Sequence, residues 1–170
     1  MKRTMFFIGA VLLVQGCTYA ISPDLAAQAD KTLSFSRIQI DPAPYQGKLV
    51  ILGGAIVKTD QLTDRSWIIE VEQRELDDWG KPLSRTRSGG RFLVQHAGVL
   101  NPLAYAPGRE ITVAAVVEGT TRQGIDDTNN TYPVVVSREL KLWPREPAAW
   151  SRPSYLDPLL YDPYSARPDY

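Results

Sequence analysis

The 170-residue chain has one cysteine, one histidine and two methionines. A single cysteine, Cys17, excludes any disulfide within the chain. A single histidine, His96, excludes a metal site built on two of the chain's own histidines. An excess of one charge is also missing, because 19 basic side chains balance 19 acidic ones. The clearly basic footprint of a nucleic-acid binder is therefore not expected. No apolar run reaches the roughly 20 residues of a membrane-spanning helix. No Gly-x-Ser-x-Gly turn marks a hydrolase nucleophile. Gly89-Gly90-Arg91 lacks the lysine and hydroxyl residue of a phosphate loop. The pairs Asp77-Asp78 and Asp126-Asp127 lack calcium-loop spacing, and turn formation by aspartate side chains accounts for them. A Ser-His-Asp arrangement around His96 is open in principle, but a structural or surface histidine is the plainer alternative. Nothing in the pattern calls for a cofactor.

What is present begins at the N-terminus. Lys2 and Arg3 form a short positive region, and Met5 to Val14 is an uncharged apolar run. That run has the length of a secretory signal core and is too short to cross a bilayer. Val14-Gln15-Gly16-Cys17 follows, with an aliphatic residue three before the cysteine and a small one just before it. This resembles a lipobox. It predicts cleavage between Gly16 and Cys17 and a diacylglyceryl thioether on Cys17, which also accounts for an exported, unpaired thiol. The plainer alternative is a chance cysteine after an ordinary signal. Each buried CH₂ contributes about 0.8 kcal/mol, so two or three acyl chains anchor stably where one does so only marginally. Residue 18 is threonine, not the aspartate that commonly retains lipoproteins at the inner membrane, so delivery to the outer membrane is expected. The mature chain would carry a net charge of about −2, since cleavage removes two basic residues and no acid.

Residues 17–45 read as a tether with one short helix, capped by Ser22 with Pro23 in its first turn. Asp41-Pro42-Ala43-Pro44 reads as extended. Strand patterns fill 46–144. Leu49 to Val57 is interrupted by Gly53-Gly54, and Trp67, Ile69 and Val71 alternate with Ile68, Glu70 and Glu72. Arg91–Gln95 is a third run, Ile111–Val117 a fourth, and Pro133 opens a fifth towards Trp143. Five such strands suggest a mainly β fold, a small five-stranded antiparallel OB-like Greek-key barrel. Gly53-Gly54 would give the bend that closes it. An immunoglobulin-like sandwich would want about seven strands. Arg85, Arg87 and Arg91 could meet an anionic head group or glycan, or simply be a solvated loop. Residues 145–170 hold five prolines and four of the eight tyrosines and read as an extended tail. That tail is either an aromatic docking strip or a flexible end without a target.

With these segments placed, the chain resembles the Slp family of outer-membrane lipoproteins. The likeness rests on an ordered series. Tyr45-x-Gly47 and Gly53-Gly54 come first, then Gly90-Arg91-Phe92-Leu93. Next is Gly98-x-Leu100-x-Pro102-x-x-Tyr105-x-x-Gly108-Arg109-x-x-Thr112-Val113. Tyr132-Pro133-Val134-Val135 and Leu142-Trp143-Pro144 close it. Two positions depart from the family habit: Leu52 stands where an aromatic often does, and Asn101 where an acid often does. The resemblance implies outer-membrane attachment and an association with stress, and it supplies no catalytic residue. The resulting expectation is a lipid-anchored, non-enzymatic protein with an envelope-structural or stress-related role. Its partners would be the membrane, through the acyl chains, and an envelope protein or glycan. The alternative is a periplasmic binding module for a glycan, lipid or protein, using the barrel face and aromatic tail.

Overall fold

A computed structural model describes residues 19–63, 65–84, 86–121 and 132–145. Five strands run in chain order: β1 Leu49–Thr63, β2 Ser66–Gln73, β3 Arg91–Ala97, β4 Glu110–Thr121 and β5 Tyr132–Leu142. They close into a barrel in the order β1-β2-β3-β5-β4, as the OB-like reading expects.

One part of that reading is corrected. The barrel is not wholly antiparallel, because β3 and β5 run parallel through Leu93↔Val134, Val94↔Val135 and Gln95↔Val136. The cause is geometric. Successive strands here alternate in direction, and a closed ring with an odd number of strands cannot alternate all the way round. One seam must be parallel, and it falls where β5 returns beside β3.

β1 closes the ring by serving two neighbours. Its first half pairs with β4, from Leu49↔Val116 to Ala55↔Glu110, and its second half with β2, from Gly54↔Gln73 to Thr63↔Ser66. The changeover falls on Gly53-Gly54, and the two glycines do different work. Gly54 lies on the inward face with Val50, Leu52 and Ile56, and a Cβ there would run into the Glu72 carbonyl. Gly53 lies on the outward face, where a Cβ would sit 2.7 Å from Leu76 Cδ2 and 2.8 Å from the Ile111 carbonyl. The backbones approach too closely for side chains at either position.

The interior is filled by inward-facing apolar residues from every strand: Ile56, Trp67, Ile69, Val71, Phe92, Val94, Ile111, Val113, Ala115, Val117 and Val135 among them. Among the described residues it is a packed core. At the end where β1 begins, Phe35 and Ile38 plug the barrel, with the Phe35 and Phe92 rings 5.7 Å apart. At the other end the β3–β4 connection supplies Leu100 and Tyr105.

The segment expected as a tether does more than tether. Over its described residues it packs onto the barrel. Helix α1, Pro23–Gln28, follows Ser22 with proline at its start, as read from the sequence. A second helix, α2 Phe35–Ile40, carries the plugging residues Phe35 and Ile38. Asp41-Pro42-Ala43-Pro44 is not extended throughout. It tightens into a 3₁₀ turn over Ala43–Tyr45, because Asp41 Oδ1 accepts the Ala43 N–H at 3.1 Å and the Tyr45 N–H bonds back to Pro42. An aspartate-led turn overrides the extended bias of a residue before proline.

The glycine pair yields a graded expectation. Gly54→Ala drives a side chain into β2 backbone, which cannot swing aside. Gly53→Ala meets a movable leucine tip as well as backbone. Both should destabilise by about 1–3 kcal/mol, with Gly54→Ala the worse. Thermal melts of the two variants check the order, and equal, negligible shifts would refute a pinched β1.

Candidate functional site

The residues singled out in the sequence fall into two groups. Cys17 and the Gly16–Cys17 cleavage point lie outside the described residues, as do Arg85, the Asp126-Asp127 pair and the aromatic tail beyond Arg145. The remaining motif residues can be placed, and they meet mainly as ties between elements.

The densest tie lies on the outward face of β1 and β4. Thr112 is fully buried, and its hydroxyl both donates to the Gly80 carbonyl and accepts from Trp143 Nε1 at 2.9 Å. Trp143 also donates its backbone N–H to the Glu110 carbonyl, and Lys141 Nζ sits 5.9 Å from its ring centroid. Gly53 leaves the space in which Thr112 and Leu76 meet. One hydroxyl thus joins the end of β5, the start of β4 and the loop after β2.

Arg109 makes a second tie. Its Nη1 donates to the Ala104 carbonyl at 3.1 Å and its Nη2 to the Trp143 carbonyl at 2.7 Å. Gly108 beside it has φ +80°, a left-handed conformation that favours glycine. That turn lets the Gly108 N–H reach the Ile56 carbonyl and the Arg109 carbonyl accept from Ile56, each at 2.8 Å. Pro102 and Tyr105 shape the same connection. Asn101 Oδ1 accepts the Leu103 N–H at 3.0 Å, the turn-forming role that an acid would also fill. Tyr105 is half-buried, and that burial pushes its hydroxyl pKa up.

On the β2–β3 face Arg91 Nη1 donates to Glu70 Oε1 at 2.8 Å. Glu70 is only 3% exposed although it points away from the core. The carboxylate raises the Arg91 pKa further, so the guanidinium stays charged. Phe92 points inward, and Gly90, with φ +128°, abuts the Gln39 side chain of α2. Tyr132 and Pro133 open β5, where the proline pairs with Thr120 at the strand start, a place it can occupy.

His96 lies at the end of β3, half-buried, with Nδ1 2.8 Å from Ser137 Oγ. This pair continues the short parallel seam with a side-chain bond. Ser137 faces inward by alternation from Val135, and a bulge at Arg138 follows it. Ala115 pairs with Ser137 and Ala114 with Glu139, so Ser137 and Leu140 both turn inward while Glu139 turns out. No group of three metal-ligating side chains occurs among the described residues. Of the Asp77-Asp78 pair, Asp77 Oδ1 accepts the N–H groups of Trp79 and Lys81 at 2.9 and 2.8 Å, a turn as expected.

Sequence reasoning passed over one feature. Tyr19 and Trp79 are 58% and 49% exposed, and their ring centroids lie 5.5 Å apart. Between them the Ala20 N–H donates to the Trp79 carbonyl at 3.1 Å. The available signal was position: Tyr19 stands two residues after Cys17.

A family model described as outer membrane lipoprotein Slp family matches residues 14–170. The chain belongs to the Slp family. A protein of Haemophilus influenzae described as uncharacterized is 30% identical over 144 residues, which cover 84% of this chain and 76% of that protein. As a Slp-family member the chain is a lipid-anchored protein of the outer membrane. The residues that carried the resemblance serve this barrel's closure: Gly53 and Gly54 at the changeover, Arg109, Thr112 and Trp143 on the outer ties, Tyr105 at the end opposite the plug.

Two expectations follow. Thr112→Val removes the acceptor of Trp143 Nε1 and the donor to Gly80 together, in a dry site. It should cost about 1–3 kcal/mol, and Thr112→Ser should restore most of it in denaturant melts. Burial also holds the His96 pKa below its ordinary 6.5. The unfolded chain then takes up the proton first, so this contribution to stability is complete above that value and is lost as pH falls through the folded pKa. His96→Asn should flatten stability against pH in that window, and an unchanged slope would refute the assignment.

Proposed function

We propose that Cys17 is the lipid-bearing residue and that the domain has a non-enzymatic, envelope-structural or stress-related role, facing the periplasm. The observation that carries the reading is the use made of the polar motif residues. Arg109 is spent on two backbone carbonyls, Arg91 on Glu70, Thr112 on Trp143 and Gly80, and His96 on Ser137. Each holds one element to another; Arg109 also lines an open pocket with Ser84, Glu110 and Arg145, and Arg91, Thr112 and His96 are not among that pocket's lining residues. The match to a lipoprotein family from residue 14 onward supports Cys17 as the anchor, as do the short positive region, apolar run and Gly16-Cys17 before it.

The binding-module alternative calls for an exposed aromatic row across one sheet face. Among the described residues the strongly exposed aromatics are Tyr19 and Trp79, which sit where the chain enters the fold. They point to a different surface.

Cys17→Ala should abolish acylation and release the domain from membranes into the soluble periplasmic fraction. Mass spectrometry of the wild-type mature protein should show a diacylglyceryl adduct on Cys17. An unmodified N-terminus downstream of Cys17 would sink the anchor. Crosslinking in living cells tests the structural role, which calls for recovery of a defined envelope component.

A further inference from the structure

The rings of Tyr19 and Trp79, at the start of the fold, take part in none of the side-chain ties above. We propose that Tyr19 and Trp79 seat the domain on the lipid leaflet that holds its anchor, with both rings in the headgroup layer. The proposal rests on Cys17 being the lipidated residue.

The first argument is reach. Tyr19 stands two positions after Cys17, so their Cα atoms lie at most about 7 Å apart. The headgroup layer on each side of a bilayer is about 5–7 Å thick. A cysteine held at the membrane surface therefore brings Tyr19 into or against that layer. The second argument is the absence of slack. Ala20 is buried and bonded to the Trp79 carbonyl, and both carboxylate oxygens of Glu139 accept the Ser22 N–H at 3.1 Å. The fold starts three residues after the anchor, and Trp79 comes to the surface with Tyr19.

The third argument is chemical. Tyrosine and tryptophan have an apolar ring and a polar edge, and they favour the boundary between water and hydrocarbon. Here the pair is exposed together. The charge beside it selects the kind of surface. Asp78 is exposed next to Trp79 and Lys31 lines the same surface, whereas Asp77 is turned into its own loop. One acid and one base beside the rings offset each other, which suits a zwitterionic leaflet over a strongly charged one.

The test uses the acylated full-length protein in phosphatidylcholine vesicles, with bromine on the acyl chains close to the headgroup. Flotation reports the anchor, and quenching of tryptophan emission reports the seat. The wild type should float and be quenched. Trp79→Phe should float equally and lose quenching, and an unchanged melting midpoint shows that its fold is intact. Trp79→Tyr is the second variant should phenylalanine perturb the loop. Quenching that persists undiminished without Trp79 overturns the seat and leaves the anchor standing, as does a wild type that floats unquenched. A wild type that fails to float overturns both.

Discussion

Closure of the barrel depends on the close approach at Gly53-Gly54. One strand must pair with β4 over its first half and β2 over its second, and only a backbone without side chains passes through that changeover. The inward glycine admits β2, so the core residues of β2 face those of β4 across a filled interior. The outward glycine admits Thr112 and Leu76, so the loop after β2 can lie on the barrel wall. That loop in turn presents the Trp79 carbonyl to Ala20 and fixes where the chain enters. The bend, the outer tie and the entry point are thus successive consequences of two missing side chains.

Much of this architecture was legible in the sequence, because its signals are local. Alternation at Trp67, Ile69 and Val71 needs only a period of two, and Ser22-Pro23 marks its helix through preferences of the residues themselves. The parallel seam was legible in principle. Five alternating strands in a closed ring force one, whatever their residues, so the expectation of a purely antiparallel barrel missed a consequence of its own strand count. Helix α2 was less accessible. Its apolar residues Phe35, Ile38 and Ile40 give a short, incomplete period, and what makes Phe35 and Ile38 core residues is the open barrel end they fill. Tertiary packing decided what propensity could not.

The candidate site shows the same division. Glu70 alternates with core residues and reads as solvent-facing, yet Arg91 from the next strand covers it. Glu139 turns outward to meet Ser22 only because a bulge adds Arg138 to the strand. Such pairings join residues 21 and 117 positions apart, and a single sequence contains no term that links them. The motif residues could be recognised as a set without their purpose being visible.

The docked N-terminal segment also sets how far the domain can stand from its membrane. With the proposed anchor at Cys17, the leash to the first buried residue, Ala20, is three residues, or about 10 Å. Releasing the chain up to Leu33, where packing on the main core begins, would lengthen it to about 50 Å. Among the described residues the ties that prevent this are few: Ala20 to Trp79, Ser22 to Glu139, and Asp30 to Leu49 and Lys48, with Ala20 and Ile21 buried beside Ala114. Each hydrogen bond contributes on the order of 1 kcal/mol net. Two acyl chains of ordinary length, at about 0.8 kcal/mol per CH₂, hold far more strongly, and more strongly than a whole domain resists unfolding. A pull on the domain would therefore peel the N-terminal segment from the barrel before it drew the lipid from the bilayer. The height of the barrel above the membrane is a property of these few contacts and not of the anchor.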